Sequence, residues 1–371
     1  MKRSVVALAV MGLGLSLAHA QEMAVRLGSV APLTGTISHL GKDNENGARL
    51  AIEDANAKGV TIAGKKVRFE LLGEDDQADP RTGTTVAQRL VDADVKGVIG
   101  HLNSGTTIPA SRIYNQAGVP MVSPSATNPT LTRQGYPGVF RTIANDVQQG
   151  GMLGKFIVGS LGAKTVAIID DRTAYGQGLA DETDKAVKAA GGKVVAREFT
   201  TDKATDFNAI LTKIRGVKPD AIFFGGMDAQ AGPMLRQLKQ LGIDAKFVTG
   251  DGGCSPEMIK LAGDAINATT YCSMPGLAID KMPGGPEFRT RYKARFNTDV
   301  QIYSPYAYDA ATAIIRAMQA ADSAEPSKYL PALKKSNFQG VIGTVAFDDK
   351  GDIKEGAVTM YQYRNGAWSP M

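Results

Sequence analysis

The strongest constraint on the fold is a repeated alternation of short β-branched runs with amphipathic segments, several of which stop at a glycine. Such alternation predicts parallel strands covered by crossover helices, because strand and helix periodicities replace each other along the chain. Up to Asn145 the predicted strands are 24–30, 67–72, 95–99 and 120–122, and the predicted helices are 44–58, 82–93 and 105–117. This first series is expected to form one doubly wound α/β domain.

The same rhythm restarts after Asn145 and predicts a second domain of the same class. Its predicted helices are 147–161, 175–190, 207–214 and 229–241, and its predicted strands are 165–169, 193–199, 221–224 and 246–248. A chain of 371 residues also exceeds the roughly 250 to 300 residues that one hydrophobic core supports. Pattern and length therefore agree on two domains.

The last part of the chain is too small for a third domain, since it offers one long predicted helix at 304–321 and one predicted strand at 344–347. We expect it to return and complete the earlier domains. The expected division is a leader at 1–20, an N-terminal lobe of 21–145 plus 275–347, and a C-terminal lobe of 146–274 plus 348–371. The predicted fold is thus α/β, with two Rossmann-like domains joined by a multi-strand hinge.

The first twenty residues have the features of an export signal. Lys2 and Arg3 precede an apolar run at 5–17, and Ala18 and Ala20 form a small-x-small cleavage pattern. The alternative is a membrane anchor, but an apolar run of about 13 residues is shorter than the roughly 20 that span a bilayer. The sequence therefore predicts an exported protein cleaved after Ala20.

Charge and cysteine content narrow the class further. The formal net charge is +5, with both signs scattered along the chain, so nucleic-acid binding has no support. Cys254 and Cys272 form either a disulfide, which an oxidising compartment favours, or two buried free thiols. A disulfide that closes a loop of this size would stabilise the folded protein by about 3 kcal/mol. Only His39 and His101 remain after the leader, so we expect no metal site.

An enzyme is the main rival reading, because doubly wound sheets host many reactions. The mature sequence has no Gly-x-Ser-x-Gly elbow, no Gly-x-Gly-x-x-Gly turn and no Gly-Lys-Ser/Thr phosphate loop, and its two histidines have no evident partner. We therefore expect no catalysis and no cofactor. A sensory ligand-binding module of the same fold is a second rival.

Two loops rich in hydroxyl groups follow neighbouring predicted strands. Ser104 and Thr106 lie where the first loop opens onto a helix, and Ser125 and Thr127 lie in the second. A helix start with free N–H groups and hydroxyls can hold a small anion such as a carboxylate, although plain helix capping is the alternative. Because adjacent parallel strands end at one edge of a sheet, the two loops together favour a carboxylate site.

A carboxylate pocket could serve a dicarboxylate or an amino acid, and an amino acid needs a counter-charge for its ammonium group. Asp251 follows a predicted strand at the mouth of the second domain, although an Asp beside Gly is commonly a turn residue. Tyr175 is a candidate aromatic wall. The residues alone leave both ligand classes open.

Several stretches of this sequence are similar to one known family. They are Gly47-Ala48-Arg49-Leu50-Ala51, Asp75-Asp76 before Asp79-Pro80, Val98-Ile99-Gly100-His101-Leu102, Pro109-Ala110-Ser111, Tyr175-Gly176-Gln177-Gly178-Leu179-Ala180, Met234-Leu235-Arg236-Gln237 and Phe347-Asp348-Asp349-Lys350-Gly351-Asp352. The chain resembles the periplasmic leucine/isoleucine/valine-binding proteins of ABC importers, which are type I periplasmic binding proteins. The resemblance spans essentially the whole mature chain.

The resemblance implies a role for each candidate residue. Ser104 and Thr127 would hold the ligand carboxylate, together with backbone N–H groups of the loop that contains Leu102 and Asn103. The Ser125 carbonyl and the Thr127 hydroxyl would receive the ammonium group. Asp251 would supply the opposing charge, and Tyr175 would close over the ligand.

The resemblance also implies the mode of action. A periplasmic monomer would capture a small, branched-chain or related apolar amino acid by hinge closure. It would then deliver the ligand to a permease with separate ATPase subunits. The alternatives are a binder of amine-free or aromatic carboxylates and a periplasmic sensory module.

Several departures from the family pattern bear on specificity. Leu40 and Met227 stand where the family often has aromatic residues, and Gln301 lies near a position that is apolar in leucine binders. The counter-charge is an Asp instead of the longer Glu. The family's usual disulfide is also missing, since Ala78 and Asn103 occupy those positions. The side-chain pocket is therefore expected to differ from that of a leucine binder.

Overall fold

The computed structural model describes residues 22–371, so the predicted leader and its cleavage site lie outside the described residues. The chain forms two α/β lobes, each built on its own mostly parallel sheet. Within residues 22–371, no helix is both long enough and apolar enough to cross a membrane. The two-lobed prediction for the fold is confirmed.

The first lobe contains a six-stranded sheet that is parallel except at one edge. Its strands are β1 (Met23–Ala31), β2 (Thr61–Ile62), β3 (Lys65–Asp75), β4 (Val98–Gly100), β5 (Met121–Ser123) and β6 (Val139–Arg141). They lie in the order β2-β3-β1-β4-β5-β6, and only β2 pairs in antiparallel fashion. The helices between them are α1 (Ser38–Lys58), α2 (Pro80–Asp92), α3 (Ser104–Ala117) and α4 (Thr130–Arg133).

The second lobe continues the same alternation. Its helices are α5 (Asp146–Lys155), which a π-helical turn at Phe156–Ser160 extends, α6 (Ala174–Ala189), α7 (Asn208–Val217), α8 (Asp228–Gln240) and α9 (Pro256–Ala262). Its parallel strands are β7 (Thr165–Asp170), β8 (Lys193–Phe199), β9 (Ala221–Gly225), β10 (Lys246–Thr249) and β11 (Thr270–Met274). Strand β11 and helix α9 were missed in the sequence, because the segment after Asp251 has no clear periodicity.

The chain then returns to the first lobe before it ends in the second. The returning elements are α10 (Gly285–Phe296), α11 (Ser304–Ala320), α12 (Pro326–Lys334), β12 (Asn337–Gln339) and β13 (Thr344–Ala346), and the final hairpin is β14 (Thr359–Arg364) with β15 (Ala367–Pro370). The hairpin adds to β11 and completes the order β15-β14-β11-β10-β9-β7-β8. The chain therefore crosses between the lobes three times, at 142–145, 275–284 and 354–358.

Apolar strands hold each lobe together because both faces of a parallel sheet are covered by helices. In the first lobe, Ile99 and Val122 pack with Ile314 of α11. In the second lobe, Ile168 faces one side of the sheet and its neighbour Ile169 the other, as strand alternation requires. The predicted return of helix 304–321 to the first lobe agrees with this packing.

The disulfide prediction is confirmed, since Cys254 and Cys272 are bonded with their Cα atoms 5.4 Å apart. It joins the turn after β10 to the neighbouring strand β11. Among the described residues, no group of three or more His, Cys, Asp or Glu side chains is placed to hold a metal ion.

The predicted lobe boundary at residues 347/348 is a few residues too early. The turn from Asp348 to Asp352 lies on the first lobe, where the Gly351 carbonyl accepts a hydrogen bond from the Arg141 backbone. Ile353 also packs in the first core. The reason is electrostatic: Asp352 pairs with the completely buried guanidinium of Arg141, at 2.6 Å.

Arg141 connects this turn to one of the hydroxyl-rich loops. Its Nη1 donates to the Ala126 carbonyl at 2.7 Å and its Nη2 to the Asn128 carbonyl at 3.1 Å, on either side of Thr127. Asp352 also accepts hydrogen bonds from Thr132 at 2.9 Å and Asn145 at 3.0 Å. A buried ion pair therefore holds the Thr127 loop in place.

We expect Asp352→Ala to lower the free energy of unfolding by about 3 kcal/mol, because it leaves the buried Arg141 charge without its carboxylate. Urea denaturation of the ligand-free protein measures this effect. Asp349→Ala, in the same turn but exposed, is the matched control and should change stability by less than about 0.5 kcal/mol. Equal effects of the two substitutions would contradict the anchoring role of Asp352.

Candidate functional site

The carboxyl ends of the two sheets face each other across a narrow cavity. Open α/β sheets bind ligands at this edge. The side chains around the cavity are Leu102, Asn103, Ser104 and Ser125 on the first lobe, Tyr175, Met227 and Asp251 on the second, and Tyr303 on the returning segment. The structure thus brings most of the predicted site residues together.

The two hydroxyl-rich loops interlock at the ends of β4 and β5. Ser125 donates a hydrogen bond to the Leu102 carbonyl at 3.1 Å, and the Ser104 hydroxyl accepts one from the Asn128 backbone at 3.2 Å. Ser104 is the first residue of α3, where N–H groups lack helical partners. The loops therefore form one polar surface with free hydrogen-bond donors.

Two other hydroxyls of these loops do not line the cavity. Thr106 donates to the Asn103 carbonyl at 3.0 Å, which is a local helix contact. Thr127 is completely buried, and its carbonyl accepts a hydrogen bond from the Asp146 backbone at 2.9 Å. Thr127 thus joins the first lobe to the start of α5.

Asp251 faces these loops from the second lobe, in a short 3-10 turn directly after β10. Its carboxylate is buried, and it accepts hydrogen bonds from Tyr175 at 2.8 Å, Gln149 at 3.0 Å and Tyr303 at 2.7 Å. Burial raises the pKa of Asp251, while these three donors act in the opposite direction. Among residues 22–371, Asp251 forms no ion pair, so its charge is met by neutral groups alone.

Tyr175 is placed by the first turn of α6. Thr173 caps this helix by accepting a hydrogen bond from Gly176 N at 3.0 Å. The Tyr175 hydroxyl accepts from Gly252 N at 2.9 Å while it donates to Asp251. A Cβ atom at position 252 would come within 2.5 Å of the Met227 sulfur, so this close approach requires a glycine.

Tyr303 was missed in the sequence, and the structure places the side chain of Gln301 outside the cavity. Asp43 of α1 accepts hydrogen bonds from the four successive backbone N–H groups of residues 301–304. This cap directs Tyr303 toward Asp251. The Gln301 side chain instead donates to the Asp299 carbonyl at 3.2 Å, outside the cavity. The only sequence signal for Tyr303 was its position, as an aromatic residue directly before the predicted helix 304–321.

The two other specificity positions differ in their placement. Met227 lines the cavity, whereas Leu40 is completely buried in the apolar cluster behind it. That cluster also contains Leu102, Tyr175 and Tyr303. Leu40 therefore shapes the cavity through its neighbours and does not reach it directly.

Comparison with known proteins agrees with this geometry. A family model described as periplasmic binding protein matches residues 24–367. The chain belongs to the periplasmic binding protein family. The resemblance found in the sequence is thus confirmed.

The names of two relatives of this periplasmic binding protein refer to amino-acid binding. A protein of Brucella abortus (strain 2308), named Leu/Ile/Val-binding protein homolog 1, is 36% identical over 344 residues, which cover 92% of this chain and 91% of the relative. A Pseudomonas aeruginosa protein, named leucine-, isoleucine-, valine-, threonine-, and alanine-binding protein, has the same identity and coverage.

A solved structure supports the fold assignment. It is the branched-chain amino acid transporter substrate binding protein LivJ of Streptococcus pneumoniae, in complex with isoleucine. Its TM-score to this chain is 0.82, with 27% identity over 94% of this chain and 100% of that chain.

In this periplasmic binding protein the cleft is closed by direct contacts between the lobes. His39 Nε2 lies 2.7 Å from Asp228 Oδ2, and Asn128 donates to the Ala174 carbonyl at 2.6 Å. The sequence showed no evident partner for either histidine, because these partners are distant in the chain. His101 also has partners, since it lies 3.0 Å from Asp76 and 3.0 Å from Tyr114.

Asp146 is a second completely buried acid near the cavity, behind Thr127. Burial raises the pKa of Asp146 to about 8, with a smaller contribution from the charge of Asp251 and an opposing one from the Thr127 hydroxyl. An ordinary aspartate has a pKa of about 4. At pH values between these two pKa values, Asp146 keeps a proton in the folded protein that it has lost in the unfolded chain. The free energy of unfolding therefore falls as pH rises.

We expect Asp146→Asn to become more stable relative to the unaltered protein as pH rises from 5 to 8. The variant does not carry this proton linkage, which amounts to at most about 1.4 kcal/mol per pH unit. Urea denaturation at several pH values measures the difference. Asp244→Asn, an exposed change in the same lobe, should show no such trend. A stability difference for Asp146→Asn that is constant with pH would contradict the linkage.

Proposed function

We propose that this protein is the amino-acid receptor of an ABC importer, and that it binds a small or branched apolar α-amino acid between its lobes. The observation that carries the proposal is Asp251, a buried carboxylate that faces a polar loop surface across the cavity and whose hydrogen-bond donors within residues 22–371 are all neutral. A ligand ammonium group would supply the missing positive charge.

The opposite side of the cavity suits the ligand carboxylate. Ser104 stands at the start of α3, where backbone N–H groups and the helix dipole favour an anion. Ser125 lies beside it, and its loop is held by Arg141. The α-carboxylate would bind these groups while the α-ammonium bonds Asp251, so both charges of an amino acid are matched. Thr127 contributes from behind by holding the loop.

The remaining walls set the class of side chain. Leu102 and Met227 are apolar, and the Tyr303 ring closes the cavity from the returning segment. The narrow cavity between these walls suits small and branched side chains better than aromatic ones. The names of the relatives, which include leucine, isoleucine, valine, threonine and alanine, support the same class.

Ligand capture is coupled to closure because its contacts come from both lobes. A ligand that bonds Ser104 on one lobe and Asp251 on the other favours the closed state over the open one, and so shifts the population toward it. His39 and Asp228 add a contact across the cleft. The closed form is then the species that a permease recognises.

This role defines location and partners. The protein would be exported, cleaved after Ala20, and act in the periplasm as a monomer without catalysing a reaction. It would deliver the amino acid to a permease whose ATPase subunits drive transport.

We expect Asp251→Asn to weaken amino-acid binding about 10- to 100-fold, because a hydrogen bond to a charged group contributes about 1.5 to 3 kcal/mol. Calorimetry on protein that was unfolded and refolded to remove carried ligand measures Kd for L-leucine, L-isoleucine, L-valine, L-alanine and L-phenylalanine. Isocaproate, which is leucine without its α-amino group, tests the ammonium site.

Gln301→Ala is the matched control, since Gln301 is polar, close in sequence to Tyr303 and outside the cavity. It should leave every Kd unchanged. Binding of isocaproate as tight as that of leucine, or unchanged leucine binding by Asp251→Asn, would remove the amino-acid assignment.

A further inference from the structure

We propose that the Cys254–Cys272 disulfide positions Asp251 for ligand binding, in addition to stabilising the second lobe. The inference rests on the proposed role of Asp251 as the partner of a ligand ammonium group. It makes the two cysteines determinants of affinity, although neither lines the cavity.

The disulfide closes the turn that carries Asp251. The turn consists of Asp251, Gly252 and Gly253, and Cys254 ends it by donating its backbone N–H to the Asp251 carbonyl at 2.9 Å. Cys254 is then bonded to Cys272, which lies beside Thr249 in the neighbouring strand. The turn begins after β10, and the disulfide fixes Cys254 at its end to the neighbouring strand β11.

The composition of the turn makes this link important. Two successive glycines have more backbone freedom than other residues, so a turn that contains them gains much entropy when it opens. Both positions are closely packed, since a Cβ at Gly252 would lie 2.9 Å from the Gly226 carbonyl oxygen and one at Gly253 would lie 2.6 Å from the Thr249 side chain. Stiffer residues cannot replace them, and a cross-link is the remaining way to restrict the turn.

A hydrogen-bonded path returns from the disulfide to the same carboxylate. Ser273 directly follows Cys272, and its hydroxyl accepts a hydrogen bond from Gln149 Nε2 at 2.9 Å. The same Gln149 nitrogen donates to Asp251 at 3.0 Å. These contacts form a closed ring, with a covalent bond on one side and hydrogen bonds on the other. Its members are Cys254, Cys272, Ser273, Gln149 and Asp251.

Opening the ring would release the turn from its strand. Asp251 would then sample positions in which its bonds to Gln149 and the two tyrosines are broken, and only a fraction of molecules would present the carboxylate to a ligand. Apparent affinity falls in proportion to that fraction. Loss of the disulfide should therefore weaken the ammonium contact more than the carboxylate contact.

The test is a double-mutant cycle between the disulfide and Asp251. Kd for L-leucine and L-valine is measured by calorimetry in the unaltered protein, in Cys254→Ala/Cys272→Val, in Asp251→Asn, and in the triple variant. Circular dichroism and thermal unfolding show that each variant is folded at the assay temperature. Reduction of the unaltered protein with a phosphine provides the same comparison without a substitution, in case the cysteine variant does not fold.

We expect loss of the disulfide to raise Kd about tenfold when Asp251 is present and less than about twofold in the Asp251→Asn background, because residues that act through one group are not additive. A disulfide that only stabilises the lobe would weaken binding equally in both backgrounds. That result, or a Kd unchanged by loss of the disulfide while Asp251→Asn still weakens binding, would overturn the inference and leave the proposed function intact.

A different result would remove the proposed function itself. If Asp251→Asn leaves Kd unchanged, or if neither amino acid binds the unaltered protein, the ammonium site is absent and the disulfide has no such site to position.

Discussion

The burial of the Asp251 carboxylate is the constraint on which the rest of the site depends. A charge removed from water needs compensation, and the three groups that reach this one are neutral. They come from α6, from α5 and from the residue before α11, so distant parts of the chain must assemble before the carboxylate is satisfied. The site is therefore a product of the whole fold and cannot form in either lobe alone.

Buried charges with compensating hydrogen-bond partners also hold the parts of the structure that support the site. The buried guanidinium of Arg141 is met by Asp352 and by two carbonyls of the Thr127 loop. Asp43 is met by four backbone N–H groups before α11, which place Tyr303. In each case a buried charge takes at least one partner from a segment more than 200 residues away in sequence. Charge compensation thus connects the cavity to the hinge and to the returning helix.

Sequence reasoning found the parts of the site that follow from strand order. Ser104, Ser125 and Asp251 each come just after a predicted parallel strand, and such strands end at one edge of a sheet. Tyr303 and Gln149 could not be found in this way, because a capped helix start and a crossing helix place them. Gln301 was named because it lies near a position that is apolar in leucine binders, whereas the three-dimensional cap by Asp43 decides which residue of that segment faces inward. Likewise, the partner of His39 lies on the other lobe, and no local pattern links the two.

The chain crosses between the lobes at three neighbouring places, and residues from all three surround one cavity at the hinge. Parallel connections of this kind resist twisting and sliding, because either motion would stretch them unequally, whereas bending about a single line strains them least. In the proposed role, the two lobes would close by bending about one line. Closure would then bring the outer surfaces of the lobes to one alignment, and a membrane partner that contacts both lobes would detect occupancy as a change in the distance between them.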